Sequence, residues 1–111
     1  MVSAPELDEV WLVALEPTLG SEIQKTRPCL VVSPDEMNRH LRTVIVAPLT
    51  SAERPYPTRI RATFAGRRGQ IALDQIRAVD RQRLVRRLGR ISARTAVAVS
   101  ELLVQMFQRA Q

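Results

Sequence analysis

Arginine is the residue type that could carry chemistry in this 111-residue chain. Seventeen Lys and Arg against eleven Asp and Glu give a net charge of +6, with a pI near 11.2. Every cation except Lys25 is an arginine. A guanidinium is a planar fork that matches two phosphate oxygens, so the excess points to a polyanion: DNA, RNA, or an acidic protein segment that imitates them. The excess is also uneven. The first 36 residues carry seven acids against Lys25 and Arg27, whereas between Arg54 and Arg94 only Asp74 and Asp80 offset the arginines. A basic face is expected in the second half of the chain.

Other reactive side chains are few. His40 is the one group whose ordinary pKa lies near neutrality, and its setting between Asn38-Arg39 and Leu41-Arg42 reads first as a surface position. Cys29 is alone, so no internal disulfide can form, and one cysteine with one histidine does not make a familiar zinc site. It lies inside an apolar run, where burial is the expected role rather than nucleophilic attack. Tyr56, held between Pro55 and Pro57, is a rigidly presented aromatic that could stack on a splayed base or fold back on the body of the domain.

The elements that must position these groups fit into one domain spanning residues 1–111. Hydrophobic residues make up 45% and charged residues 25%, the proportions of an ordinary globular chain. The longest apolar runs, Cys29 to Val32 and Val44 to Ala47, are too short to cross a bilayer. The start, Met-Val-Ser-Ala-Pro-Glu, has neither a basic cluster nor an apolar stretch, so no secretory signal and a cytoplasmic location are expected.

Seven prolines and four glycines punctuate short apolar runs, the pattern of a small β-rich barrel or sandwich. Strands are predicted at 9–15, 28–33, 42–49 and 58–64, with further strands at 70–73 and 75–79. The second is apolar on both faces and therefore central. Pro17 to Gly20 reads as a turn and residues 20–27 as an exposed loop. Asp35 to Asn38 is expected to form a helical turn, Gly66 to Gly69 a turn, and Asp80 to Leu84 a brief helical turn. Ser92 is a plausible N-cap for a closing helix whose Val99, Leu102, Leu103, Met106 and Phe107 form one apolar stripe.

Three segments together resemble the MazF/PemK family of toxin endoribonucleases: Val10 to Glu22 running into Lys25-Thr-Arg-Pro-Cys-Leu-Val-Val-Ser33, then Val46-Ala-Pro-Leu-Thr-Ser51, then Gln70-Ile-Ala-Leu-Asp-Gln-Ile-Arg-Ala-Val-Asp80 followed by Arg83-Leu84 and Leu88-Gly89. Their order and spacing are more specific than any single piece. Three positions depart from the pattern. Asp8-Glu9 stands where a glycine is usual before the first strand. Ser21 replaces a histidine used by one branch, and Ala72 replaces an arginine of that same branch.

The resemblance implies a mainly β, SH3-like, partly open barrel with a C-terminal helix, assembled as a homodimer. It implies sequence-specific cleavage of single-stranded RNA through attack by the 2′-hydroxyl, with no metal and no cofactor, and inhibition by a small acidic antitoxin. The family places catalysis at Arg27 and Thr50. Arg27 suits charge stabilisation and is a candidate to protonate the leaving oxygen; a guanidinium stays protonated and has no acceptor atom with which to act as the base. Thr50 and its neighbour Ser51 can donate to a phosphate oxygen. Asp74 could accept a proton, orient Arg27, or bond amides at a strand end. Glu22 could pair with Arg27, and His40 is the remaining candidate for catalytic support. Gln75 could read a base edge; Arg54, Arg77, Arg81, Arg86 and Arg87 are phosphate-contact candidates beside Tyr56. Two other readings fit the same architecture: a gyrase poison of the CcdB type, and a non-catalytic SH3-like module that binds nucleic acid.

Overall fold

The computed structural model describes residues 3–16, 20 and 25–110. Seven strands and two helices follow one another as β1 (Glu9–Ala14), β2 (Thr26–Val31), α1 (Asp35–His40), β3 (Thr43–Thr50), β4 (Arg59–Phe64), β5 (Arg67–Ala72), β6 (Arg77–Asp80), β7 (Leu84–Arg90) and α2 (Ala93–Phe107). Short 3-10 turns at Leu73–Gln75 and Arg81–Arg83 flank β6. The strands run in the order β4-β5-β3-β2-β1-β7, with β6 also on β3. All the strand pairings are antiparallel. The result is the mainly β, curled half-barrel with a C-terminal helix that the sequence led us to expect.

β3 is the strand on which the curl turns. Its first half, Thr43 to Val46, pairs with β6, whereas Leu49 and Thr50 pair with β5. Pro48 sits between those two stretches, opposite Cys29 of β2. A proline has no N–H to give a ladder, so it is suited to the point where β3 leaves one neighbour and takes up another. β2 is buried on both faces. Leu30 joins Val10, Ala47, Ile71, Leu73, Ile91 and Val99 in one core cluster, while Cys29 and Val31 join Val13, Leu15, Val44, Val46 and Val79 in another.

α2 starts where its sequence signal lies: the Ser92 side chain accepts from the Thr95 amide at 3.2 Å. Val99 is buried, and Ala96, Leu102, Leu103 and Met106 pack against the first cluster. Phe107, expected on that stripe, is 70% exposed at the last residue of the helix.

Several boundaries differ from expectation for identifiable reasons. The predicted loop 20–27 gives up Thr26 and Arg27 to β2; its residues 21–24, like Pro17 to Leu19 of the predicted turn, lie outside the described residues. The hairpin joining β4 to β5 turns at Ala65–Gly66, with φ of 51° and 78°, and Phe64 already pairs with Arg67. A two-residue turn of type I′ demands positive φ at both positions, and alanine does not advertise that conformation. Arg67 to Gly69, read as turn, therefore belongs to β5. β7 was not expected at all. Among the described residues it pairs only with β1, and Val85, Arg86 and Arg87 are all exposed, so the edge strand carries little apolar alternation.

Asp8 has φ 74° at the position where the resemblance leads one to expect glycine. It is held there from two sides: its amide donates to the Val31 carbonyl at 3.0 Å, and its carbonyl accepts from the Ile91 amide at 3.1 Å. The left-handed region is costly for residues with a Cβ. Asp8→Gly is therefore expected to stabilise the fold by about 1 kcal/mol, and Ala65→Asn to act in the same direction at the hairpin. Thermal unfolding midpoints should rise by a few degrees for each; a fall at Asp8 would show that its side chain matters more than its backbone strain.

Candidate active site

The antiparallel register of β2 and β3 puts Cys29 opposite Pro48 and Leu30 opposite Ala47. Arg27 and Thr50 lie two residues beyond the outermost of these pairs, at the ends of the two strands. Both line one open cleft of about 370 Å³. The ends of β2 and β3 contribute Arg27, Pro28, Leu49, Thr50 and Ser51, β4 contributes Ala62 and Phe64, and Leu88 comes from β7. The hairpin turn and β5 add Ala65, Arg67, Arg68, Gly69 and Gln70. An apolar floor of Leu49, Ala62, Phe64 and Leu88 thus lies beneath a rim that carries three guanidinium groups. Such a surface suits an anion attached to a flat apolar group, which is what a nucleotide is.

Thr50 is almost buried, at 8% exposure. Its hydroxyl oxygen accepts from the Ala52 amide at 3.1 Å, closing a tight turn that leaves the hydroxyl proton available for a further acceptor. The strand beside it comes unusually near: a Cβ on Gly69 would lie 2.6 Å from the Thr50 carbonyl oxygen. Gly69 is thus required by the close approach of β5 to Thr50. Gly89, with φ 155°, leaves room for the Phe64 ring of the cleft floor, whose Cζ would be 3.2 Å from a Cβ there.

The remaining sequence candidates separate into distinct settings. Asp74 receives the Arg59 guanidinium at 2.7 and 3.1 Å and the Thr58 hydroxyl at 3.1 Å, so its cation is Arg59, and it lies outside the cleft lining. Burial raises the Asp74 carboxyl pKa, but the Arg59 hydrogen bond outweighs that with help from its own backbone amide and Thr58, holding the group below its ordinary value. Tyr56 lies against the same cluster, with the Arg59 guanidinium 5.1 Å from its ring centroid. His40 is exposed at the end of α1, its Nδ1 bonded to the Glu36 carbonyl oxygen at 2.8 Å. Glu22 and Ser21 lie outside the described residues. Gln75 is half-buried in the 3-10 turn after β5, away from the cleft lining.

Several arginines serve the fold instead of the cleft. Arg77 donates to the Leu15 carbonyl at 3.0 Å. Arg87 meets Glu9 at 2.6 Å, and that buried carboxylate also accepts from the Glu6 amide and the Trp11 indole. Burial raises the Glu9 pKa, yet these bonds outweigh it and hold the value low. The Arg54 guanidinium donates to the Glu53 carbonyl. Arg81 is half-buried and Arg86 exposed, and neither lines the cleft. Burial pushes the Cys29 thiol up to about 12, against the opposing charges of Arg77 and Arg27; it stays protonated and unreactive. Among the described residues no group of three or more His, Cys, Asp or Glu could hold a metal ion.

Sequence reasoning missed Phe64, Arg67, Arg68 and Gln70 as cleft residues. The paired arginines directly after a hairpin were the available signal, but assigning them to the turn hid it.

The Asp74 cluster makes a testable pH statement. An unfolded aspartate titrates near about 3.9, and the folded group ionises below that. Its ionisation favours the fold above the unfolded value, and the contribution disappears as pH falls through the folded one. Asp74→Asn should lower stability by about 1 kcal/mol at neutral pH, and the gap to the unaltered protein should close below about pH 4. Chemical denaturation across that range measures it; a gap independent of pH would mean that the charge contributes nothing.

Comparison with known proteins adds to this geometry. Residues 7–107 match the family described as PemK-like, MazF-like toxin of type II toxin-antitoxin system. Endoribonuclease MazF9 of Mycobacterium tuberculosis is 37% identical over 105 residues, which cover 86% of this chain and 89% of that protein. The crystal structure of MazF from Deinococcus radiodurans superposes with a TM-score of 0.82 at 26% identity, covering 93% of this chain and 96% of that one. A mycobacterial endoribonuclease solved in complex with its cognate antitoxin matches in fold, with a TM-score of 0.78 at 23% identity over 96% of this chain and all of that one.

Proposed function

Because the chain belongs to the PemK-like, MazF-like toxins of type II toxin-antitoxin systems, we propose that it is an endoribonuclease whose cleft grips single-stranded RNA through Arg27 and Thr50. The observation that carries this reading is the shared cleft. Arg27 and Thr50 both line it, together with apolar Leu49, Ala62, Phe64 and Leu88 and with Arg67 and Arg68, which supports a grip on a phosphate beside a base.

The reaction follows from what these groups can do. The 2′-oxygen forms a bond to phosphorus while the bond to the 5′-oxygen breaks, leaving a 2′,3′-cyclic phosphate and a 5′-hydroxyl. The 2′-proton departs to a base, and the 5′-oxygen must receive one. Arg27 holds two oxygens of the phosphorane and supplies a proton to the leaving oxygen. Thr50 donates its hydroxyl proton to a third position, supported by Ser51. The described lining holds no carboxylate or imidazole, so these residues act by stabilising charge and not by taking the 2′-proton. Arg67 and Arg68 fit the phosphates on either side, with a base on the apolar floor. No metal is required for any of these steps.

A second copy of the chain and an acidic antitoxin complete the proposed assembly, acting in the cytoplasm. The charge of +6 and the cationic rim favour an acidic segment that competes with RNA for the cleft.

Incubation with a long single-stranded RNA in EDTA should yield discrete fragments with 5′-hydroxyl ends. Arg27→Ala and Thr50→Ala should each lower turnover at least about a hundredfold, the usual effect of removing a transition-state donor, while both variants remain folded. Normal cleavage by both would refute the site, and intact RNA together with blocked supercoiling would identify a gyrase poison instead.

A further inference from the structure

Gln70 is a buried polar side chain on the wall of the cleft, at 4% exposure, and both halves of its amide are occupied. Its oxygen accepts from the Arg54 backbone amide at 3.1 Å, and its nitrogen donates to the Arg54 carbonyl at 3.1 Å. Each half of the amide keeps one further bonding position, but the paired bonds to one residue's backbone fix its orientation, so it is not free to turn toward a base. It acts instead as a pin between β5 and the loop that follows Thr50.

The position of the pin matters. Gln70 is the cross-strand partner of Thr50, and Gly69 beside it has no room for a Cβ against the Thr50 carbonyl. The strand that carries the pin therefore cannot shift without moving Thr50. Between Thr50 and Arg54 lie only Ser51, Ala52 and Glu53, and within that span the Ala52 amide donates to the Thr50 hydroxyl oxygen. Fixing Arg54 keeps this short arc closed. With Ala52 donating into the oxygen, the threonine's own proton is directed to another acceptor. The far end of the loop is tied down separately, where the Arg59 amide donates to the Tyr56 carbonyl at 3.1 Å.

We propose that Gln70 is a positioning residue for RNA cleavage: by clamping the Arg54 backbone it holds the Thr50 turn in the conformation that aims the hydroxyl proton at the substrate phosphate. The assignment rests on the ribonuclease reading above and extends it to a side chain that touches no reacting atom. A misplaced donor loses much of its value, because catalysis by preorganised groups falls steeply with sub-ångström displacement.

Two variants and two measurements test it. Gln70→Leu removes both bonds at similar volume, and Gln70→Glu keeps the acceptor for the Arg54 amide while setting a carboxylate against the Arg54 carbonyl. On an end-labelled single-stranded RNA that the unaltered protein cuts, kcat should fall by at least about tenfold for both variants, with KM changed less than about twofold. Hydrogen exchange of the Ala52 amide, which Gln70 does not touch, should accelerate in both at temperatures where they are folded. Wild-type kcat in either folded variant overturns the proposal, as does Ala52 exchange at the wild-type rate or a loss expressed only in KM. Thr50→Ala is run alongside. Undiminished cleavage by Thr50→Ala overturns the Thr50 reading and the proposal with it, whereas an inactive Thr50→Ala beside a fully active Gln70→Leu overturns Gln70 alone.

Discussion

The pairing of β2 with β3 is the constraint on which the cleft depends. An antiparallel ladder has one register compatible with burying Leu30 and Ala47 on one side and Cys29, Val31 and Val46 on the other. A slip of β2 by one residue would turn Cys29, Leu30 and Val31 each to the opposite face. The burial of the strand interiors thus decides which residues stand level at their open ends. Arg27 and Thr50 line the same cleft at the ends of these two strands.

Around that pair, close backbone approach does as much as side-chain chemistry. Gly69 lets β5 come against the Thr50 carbonyl, and Gly89 lets the Phe64 ring settle into the cleft floor. Pro48 marks the place where β3 exchanges β6 for β5. These positions carry no reactive group, yet each limits where Thr50 and the apolar floor can lie.

The arginines divide by where they stand. Arg59, Arg77, Arg83, Arg87 and Arg90 are engaged with carboxylates or with backbone carbonyls of Leu7, Ala14, Leu15 and Glu16. They tie chain ends and loops to the sheet, where five donors on one planar group serve well. Arg27, Arg67 and Arg68 line the cleft. A high net charge is consequently a sound pointer to an anionic partner but a poor guide to which cation meets it.

Much of this protein was legible in its residues. The two-faced apolar pattern of 28–33 marked a central strand, Ser92 marked the start of the closing helix, and the family segments put Arg27 and Thr50 forward. Local chemistry suffices for such features, since burial, capping and motif spacing are properties of short stretches. Other features depend on contacts between distant residues. β7 exists because β1 offers it an edge, and the hairpin turns at Ala65 because cross-strand pairing forces a left-handed alanine. Asp74 faces Arg59 because the 3-10 turn after β5 brings it back beside the start of β4. Gln70 found its partner in the Arg54 backbone only once β5 lay against the end of β3. Sequence alone determined which groups this chain has available, and tertiary pairing decided which of them meet, because a side chain's partner across a sheet is chosen by register and not by proximity along the chain.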